Sequence, residues 1–301
     1  MESPNKKRRS AKDFPQEILK LFDGYVHGFT SRRDFIEGAA RVLGGGAAAV
    51  AALDALQPEY AWAAQVAEDD ERIRQEYVHY PSPDGSGEMR GYMVVPEGAA
   101  EPLPAVLVIH ENRGLNPYIE DVVRRFGAAG FVALGPDALT PLGGYPGNDD
   151  EGRTMQQQLD RDVMMEDWVA AFRFLRDHDA TTGRVGAVGF CYGGGVVNQL
   201  AVRLPDLGAG VPFYGSAPDL ADVPRIQAPL MIQLAGLDER VNAGYPEYEA
   251  ALEAAGKTFT IHTYEGVNHG FHNDTTPRYD DEAAMLAQER TIAFFNETLR
   301  G

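Results

Sequence analysis

The strongest constraint on the fold is an alternation, from about Tyr77 onward, between short apolar runs and longer segments with apolar residues at helical spacing. Residues 105–110 (AVLVIH) form a continuous apolar run, which is typical of a parallel strand buried on both faces. Parallel strands are joined by long crossovers, usually helices, and these helices cover the faces of the sheet. The sequence therefore predicts an α/β fold with a mostly parallel central sheet and helices on both faces.

The same periodicities place the remaining elements. Residues 142–151 are rich in Gly, Pro and Asp and predict a loop lying over the sheet, directly before a long helix at residues 155–178. The other predicted helices are residues 118–129, 194–204 and 281–299, and the other predicted strands are residues 89–95, 131–134, 185–188, 209–214, 230–234 and 259–264.

The only cysteine of the chain, Cys191, lies between glycines in the sequence GFCYG at residues 189–193, directly after a predicted strand. Glycine–x–nucleophile–x–glycine at a strand-to-helix junction makes a tight turn that exposes the middle side chain at the edge of the sheet. A helix N-terminus and a nearby histidinium both favour the reactive thiolate. The alternative is a buried structural cysteine. The turn favours the nucleophile.

Two backbone N–H groups are candidates for stabilising an oxyanion beside this thiol. Tyr192 begins the predicted helix, where backbone donors have no partner within the helix. Asn112 lies in the loop that follows residues 105–110. The sequence therefore predicts an oxyanion hole built from the Tyr192 and Asn112 N–H groups.

A nucleophile of this kind needs a base and a carboxylate that orients the base, and both follow it in chain order. Asp238 comes directly after the predicted strand 230–234, at the edge where sites of α/β proteins are built. His269 lies in the glycine-containing loop after strand 259–264. We expect His269 to be the base and Asp238 its partner, with Glu239 as a weaker rival for the acid.

Metal chemistry is not expected. A single cysteine excludes an intramolecular disulfide and a four-cysteine zinc site. His269 and His272 have H-x-x-H spacing, but their loop offers no convincing third ligand. Of the other histidines, His27 lies in the predicted leader, His178 at a helix end, and His79 and His262 on predicted strands, where structural or surface roles are expected.

The N-terminal segment has the pattern SRRDF at residues 31–35, followed by a weakly apolar stretch at residues 39–56 and by AWA at residues 61–63. This resembles a twin-arginine export signal with a cleavage site before Ala64. It predicts a leader at residues 1–63, a mature domain at residues 64–301, recognition by the translocation machinery, and a periplasmic or secreted enzyme. The alternative is an ordinary amphipathic helix capped by Ser31 in a cytoplasmic protein.

The net charge of −18 argues against nucleic acid or an anionic membrane surface as a partner, because both attract clusters of Lys and Arg. A stable membrane span is also not expected, since no uninterrupted apolar run reaches the length of about 20 residues that a bilayer requires. A small-molecule substrate is the remaining kind of partner.

From about Tyr77 to Leu299 the chain resembles the dienelactone hydrolase family, the cysteine-nucleophile branch of the α/β-hydrolases. The matching sequences are GFCYGG at residues 189–194, the loop of Asp238, NHGF at residues 268–271 and HENRGLN at residues 110–116. The resemblance implies an α/β-hydrolase fold and cleavage of an ester or lactone through a thioester on Cys191, with no cofactor. It also implies that Glu111 helps to ionise the thiol. The alternative for Glu111 is a surface acid paired with Arg113.

The substrate is less well defined. The family resemblance implies an arginine for a substrate carboxylate four residues after the histidine, and this chain has Asn273 there. Arg153 or Arg278 could replace it. A general carboxylesterase or thioesterase would use the same triad, and a non-catalytic binding protein on this fold would not need the triad at all.

Overall fold

The computed structural model describes residues 9–62 and 64–301. Its centre is a sheet of eight strands: β1 (Ile73–Ser82), β2 (Gly87–Pro96), β3 (Leu103–Ile109), β4 (Val132–Pro136), β5 (Thr181–Phe190), β6 (Ala209–Phe213), β7 (Leu230–Ala235) and β8 (Phe259–Tyr264). The spatial order is β1-β2-β4-β3-β5-β6-β7-β8. The β1/β2 and β2/β4 pairs are antiparallel, and the pairs from β4 to β8 are parallel.

The helices precede, connect and follow these strands: α1 (Gln16–Val26), α2 (Arg32–Leu43), α3 (Gly46–Leu56), α4 (Pro117–Ala128), α5 (Asp149–Gln156), α6 (Arg161–Arg176), α7 (Tyr192–Arg203), α8 (Glu239–Asn242), α9 (Tyr245–Ala254) and α10 (Asp281–Arg300). Helices α6, α7 and α9 contribute to the core on one face of the sheet, and α4 and α10 contribute to the core on the other. The α/β prediction is confirmed.

Strand β3 is covered on both faces, which explains its continuous apolar run. Successive side chains of a strand point to opposite faces, so a strand covered on both faces must be apolar at every position. Its side chains alternate between the two cores. Ala105, Leu107 and Ile109 join Trp168 on one face, and Val106 and Val108 join Phe126 and Phe295 on the other.

Two predicted elements differ from the structure. The helix expected at residues 155–178 is two helices, because Asp160 accepts hydrogen bonds from the N–H groups of Asp162 and Val163 and so begins α6 anew. Helix α5 starts inside the predicted loop 142–151 and carries Arg153, which was expected in the irregular segment before the long helix. The sequence set no bounds for the strand at His79, which is β1, because β1 is an edge strand with mostly exposed or half-exposed side chains.

The N-terminal helices form a small unit with its own apolar core, and they pack against the rest of the chain. Ser31, inside the twin-arginine pattern, is the N-cap of α2 and accepts a hydrogen bond from the Asp34 N–H. This is the capped helix that the sequence left as an alternative. Export remains a prediction, and Ala63 of the expected cleavage site lies outside the described residues. The buried apolar side chains of this unit include Ile18, Phe22, Phe35, Leu53 and Leu56.

Within residues 9–62 and 64–301, no single helix is long and apolar enough to cross a bilayer. Helices α2 and α3 reach the required length and composition only as a pair, and the pair is bent by 115° at the break between them.

Candidate active site

Cys191 lies in the tight turn between β5 and α7, with φ 56° and ψ −114°. This left-handed conformation is unusual for a residue with a side chain and costs free energy. The neighbouring glycines are required by close backbone contacts. A Cβ on Gly189 would lie 2.2 Å from the Gly193 carbonyl oxygen, and a Cβ on Gly193 would lie 2.3 Å from the Ile109 carbonyl oxygen. The strand–turn–helix predicted from GFCYG is therefore present.

His269 and Asp238 lie side by side at the same edge of the sheet. The His269 Nδ1 is 2.5 Å from the Asp238 Oδ2, and both residues are buried. Burial raises the pKa of Asp238, but the hydrogen bond and charge interaction with His269 outweigh it and leave that pKa below its usual range. A carboxylate can only accept, so Nδ1 carries the proton and the His269 Nε2 has a free lone pair. Within the described part of the chain, this Nε2 is buried without a hydrogen-bond partner.

The thiol has a neighbour that the sequence did not predict. His27, at the C-terminal end of α1, places its Nε2 3.1 Å from the Cys191 Sγ. Its ring centroid is 4.7 Å from that of His269. The sequence placed His27 in the predicted leader and gave it no role in the site, but folding brings it to the predicted nucleophile. The only hint in the sequence is the Asp23–His27 spacing, which puts a carboxylate and an imidazole on one face of a helix.

Three side chains at this site could in principle bind a metal ion. A ring nitrogen of His27, a ring nitrogen of His269 and the Cys191 Sγ lie within 4.8 Å of one another. Tetrahedral zinc with bonds of about 2.0–2.3 Å needs ligand atoms about 3.3–3.8 Å apart. The Arg240 guanidinium also stands 3.2 Å from the His27 Nε2. A zinc ion would therefore need the histidines and Arg240 to move.

The second histidine of the H-x-x-H spacing points elsewhere. His272 Nδ1 is 2.8 Å from the Tyr118 hydroxyl, and its Nε2 is 3.2 Å from the Gln288 Oε1. Burial lowers the pKa of His272 to about 3, so its ring is neutral. His79 on β1, His178 beyond the end of α6 and His262 on β8 lie where the sequence predicted.

Glu111 is buried behind the site. Its side chain is 3% exposed, and its Oε2 accepts a hydrogen bond of 3.0 Å from the Asn273 Nδ2. Arg113 instead pairs with Asp149 at 2.8 Å. The alternative of a surface acid paired with Arg113 is therefore wrong. Among the described residues, the hydrogen-bond partner of the thiol is His27 and not Glu111.

The two oxyanion candidates, Tyr192 and Asn112, line the same cavity as Cys191. Tyr192 is the first residue of α7, so its N–H has no partner within the helix. Asn112 follows β3 and also lines the cavity, and its side chain donates to the Val26 carbonyl oxygen at 2.8 Å. Helix α1 thus helps to fix the loop that carries Asn112.

The cavity above the thiol has a volume of about 760 Å³ and is lined by Cys191, His27 and His269. Arg153 is part of its wall, with its Nη1 donating to the Tyr25 carbonyl oxygen at 2.8 Å. Arg278 is not part of this wall. It is buried and faces Asp23 at 3.5 Å, beside a smaller cavity of about 220 Å³. Of the two arginines considered for a substrate carboxylate, only Arg153 reaches the main cavity.

The chain matches known protein families over most of its length. The family model for the dienelactone hydrolase family matches residues 89–299, and a model described as YqhI-like matches residues 5–43, which include Asp23 and His27. The chain is 59% identical over 112 residues to the "Putative hydrolase fragment YghX" of Escherichia coli K12, which covers 37% of this chain and 96% of that protein.

Longer matches have lower identity. A carboxymethylenebutenolidase of Pseudomonas putida is 27% identical over 206 residues, which cover 65% of this chain and 86% of that enzyme. The solved "Putative Dienelactone Hydrolase" of Klebsiella pneumoniae is 25% identical with a TM-score of 0.66, and the match covers 74% of this chain and 99% of that one. The chain therefore belongs to the dienelactone hydrolase family and has its α/β-hydrolase fold.

Proposed function

We propose that the protein is a carboxylic ester hydrolase that cleaves an ester or lactone through a thioester on Cys191. The observation that carries the proposal is the Asp238–His269 pair, which leaves a free Nε2 lone pair beside a thiol in a strained turn. The name of the Pseudomonas putida relative supports a lactone as the substrate class. The mechanism needs no cofactor, because the chain's own side chains supply the nucleophile and the base.

The first half of the cycle forms the thioester. The Cys191 thiolate attacks the carbonyl carbon, and the carbonyl electron pair moves onto oxygen, where the N–H groups of Tyr192 and Asn112 would stabilise it. When the tetrahedral intermediate collapses, the bond to the alcohol oxygen breaks and this oxygen takes a proton. For a lactone, the alcohol stays tethered to the acyl group.

The second half hydrolyses the thioester. The His269 Nε2 takes a proton from water as the water oxygen adds to the acyl carbon. Asp238 accepts the hydrogen bond from Nδ1, holds this tautomer and stabilises the imidazolium. Collapse of the second intermediate breaks the carbon–sulfur bond and releases the carboxylic acid, and His269 gives its proton to the leaving sulfur.

The family resemblance implies that Glu111 helps to ionise the Cys191 thiol, which requires contact between the two side chains. The Asn273 Nδ2 donates to this carboxylate, and Glu111 is buried. For Glu111 to take the thiol proton, one of its carboxylate oxygens must come within hydrogen-bond distance of the Cys191 Sγ, a contact that the described residues do not show.

Alkylation of the single cysteine tests the proposal. Iodoacetamide is expected to react with Cys191 faster than with a free thiol at neutral pH, and to abolish hydrolysis of a p-nitrophenyl ester in proportion to labelling. Mass spectrometry of the labelled protein gives the extent of modification, and no other thiol can confuse it. Full labelling with unchanged turnover would exclude a thioester mechanism. A protein with no turnover on any ester would favour the non-catalytic binding function.

A general carboxylesterase or thioesterase is the second candidate, and Asn273 favours it. The position at which the family resemblance implies a carboxylate-binding arginine carries an amide that is bonded to Glu111. The remaining candidate, Arg153, already contacts Asp150 and the Tyr25 carbonyl oxygen.

Substrates with and without a carboxylate separate these candidates. If Arg153 binds the substrate carboxylate, Arg153→Gln is expected to raise KM for cis- or trans-dienelactone by about tenfold and to leave KM for a neutral ester unchanged, since one charge-assisted contact is lost. Steady-state kinetics on both substrates measure this. Equal rates on dienelactone and neutral esters in the unaltered enzyme would instead support the general esterase.

Export by the twin-arginine pathway is a separate proposal, supported by the SRRDF pattern at residues 31–35. Cleavage before Ala64 would remove α1 to α3, and with them Asp23 and His27 at the thiol. A mature enzyme that begins at Ala64 and a role for His27 in catalysis therefore exclude each other. Export of the uncleaved chain is compatible with a role for His27.

A further inference from the structure

The N-terminal helices place a second histidine–carboxylate pair at the nucleophile. His27 contacts the Cys191 Sγ through Nε2, and its Nδ1 is 2.7 Å from the Asp23 carbonyl oxygen and 3.3 Å from the Asp23 Oδ1. The thiol is thus flanked by His27 with Asp23 on one side and by His269 with Asp238 on the other. The mechanism above uses only the second pair.

The hydrogen bonds around His27 determine which nitrogen carries the proton. Carbonyl and carboxylate oxygens only accept, so Nδ1 donates to Asp23. An arginine only donates, and the Arg240 Nη2 is 3.2 Å from Nε2. The His27 Nε2 therefore has a single lone pair, which two donors share: the Cys191 S–H at 3.1 Å and the Arg240 N–H at 3.2 Å.

We propose that His27, held by Asp23, is the base that takes the proton of the Cys191 thiol, so that His269 is left to activate water. The inference rests on the proposed function and divides its proton transfers between two histidines. In the first step the S–H bond breaks, the proton moves to the His27 Nε2, and the sulfur forms its bond to the acyl carbon. The departing alcohol oxygen then takes this proton, and His27 is neutral again.

The placement of the two rings supports this division. Within the described residues, His27 is the hydrogen-bond partner of the sulfur, whereas the His269 Nε2 has no partner and is free to receive a proton from water. Glu111, which the family resemblance names for thiol activation, is bonded to Asn273. The structure therefore holds His27 in the position from which the thiol proton can be taken.

The groups around His27 also favour its protonated form, which the proposed transfer creates. Burial lowers the pKa of His27, but the Cys191 charge and the hydrogen bonds to Asp23 and Cys191 outweigh this and raise it, against an opposing charge from His269. Burial raises the pKa of Asp23, but His269, His27 and Arg278 lower it well below its usual range, so Asp23 stays ionised. Two further charged groups face this cluster. Arg240 contacts both His27 and Asp23, and Asp238 is hydrogen-bonded to His269.

The test is His27→Gln in the full chain, because glutamine can accept a hydrogen bond but does not take a proton near neutral pH. We expect alkylation of Cys191 and formation of the acyl-enzyme from p-nitrophenyl acetate to slow by about 100-fold at neutral pH. The alkylation rate should reach its plateau at a higher pH than in the unaltered enzyme. The rate constant for hydrolysis of the preformed acyl-enzyme should not change. The matched control is His79→Gln, an exposed histidine on β1, which should leave every rate unchanged.

The outcomes separate this inference from the function on which it rests. Normal alkylation and acylation in the His27→Gln variant would overturn the role of His27, and a loss confined to a Glu111→Gln variant would assign the activation to Glu111. Failure of the unaltered enzyme to form any acyl adduct on Cys191 would instead reject the proposed function. If the His27→Gln variant does not fold, the pH dependence of thiolate absorbance in the unaltered enzyme decides. A thiolate that persists below neutral pH supports the pair, and a thiol that ionises like a free cysteine overturns it.

Discussion

Replacing Cys191 with alanine is expected to lower kcat for an aryl ester by about 10⁵- to 10⁶-fold, since removal of a nucleophile leaves only binding and oxyanion stabilisation. Both halves of the proposed cycle pass through the carbon–sulfur bond, and the chain contains no second thiol that could take over. Initial rates at saturating substrate, corrected for the rate without enzyme, measure the loss.

The variant should fold normally, which makes the result interpretable. Alanine keeps the Cβ, so it meets the left-handed φ of 56° at the same backbone cost as cysteine. What is lost is one hydrogen bond to His27, a contribution of about 1 kcal/mol. Thermal unfolding followed by circular dichroism is the control. A folded variant that retains kcat within about tenfold of the parent would place the nucleophile elsewhere.

Sequence patterns succeeded where the physical cause is local. The strands covered on both faces are apolar runs, and the turn at Cys191 needs glycines at Gly189 and Gly193 because the backbone packs tightly there. Asp238 and His269 were found because both follow strands whose ends meet at one edge of the sheet. The order of elements along the chain therefore predicted which side chains would meet.

Sequence patterns did not predict the contacts that depend on tertiary structure. Cys191 and His27 are 164 residues apart in the chain, and Glu111 and Asn273 are 162 apart, so no local pattern links either pair. An N-terminal segment with paired arginines and an apolar stretch satisfies the composition of an export signal and that of a capped helical unit alike. Only the packed structure shows that α1 reaches the thiol.

Replacing Asp238 with asparagine is expected to lower kcat by about 10³- to 10⁴-fold through the tautomer of His269. The Asp238 carboxylate accepts the Nδ1 proton, which leaves the Nε2 lone pair free for a proton from water. An asparagine amide that donates to Nδ1 would move the ring proton to Nε2, where it blocks this step. Because the thiol keeps its contact with His27, acylation should continue and the thioester on Cys191 should accumulate, as mass spectrometry of the intact protein can show.

The chain offers a matched control for this change. Glu239 is the neighbouring acid and the rival that the sequence left open, but its side chain is 80% exposed and pairs with Lys20 at 2.9 Å rather than with His269. Glu239→Gln removes the same kind of charge one position along the chain and should leave kcat unchanged, since an exposed ion pair contributes little. A larger loss in Glu239→Gln than in Asp238→Asn would show that the orienting carboxylate is misassigned. Loss of activity in Asp238→Asn without an acyl-enzyme would mean that His269 also serves acylation, and the separation of the two proton transfers would then fail.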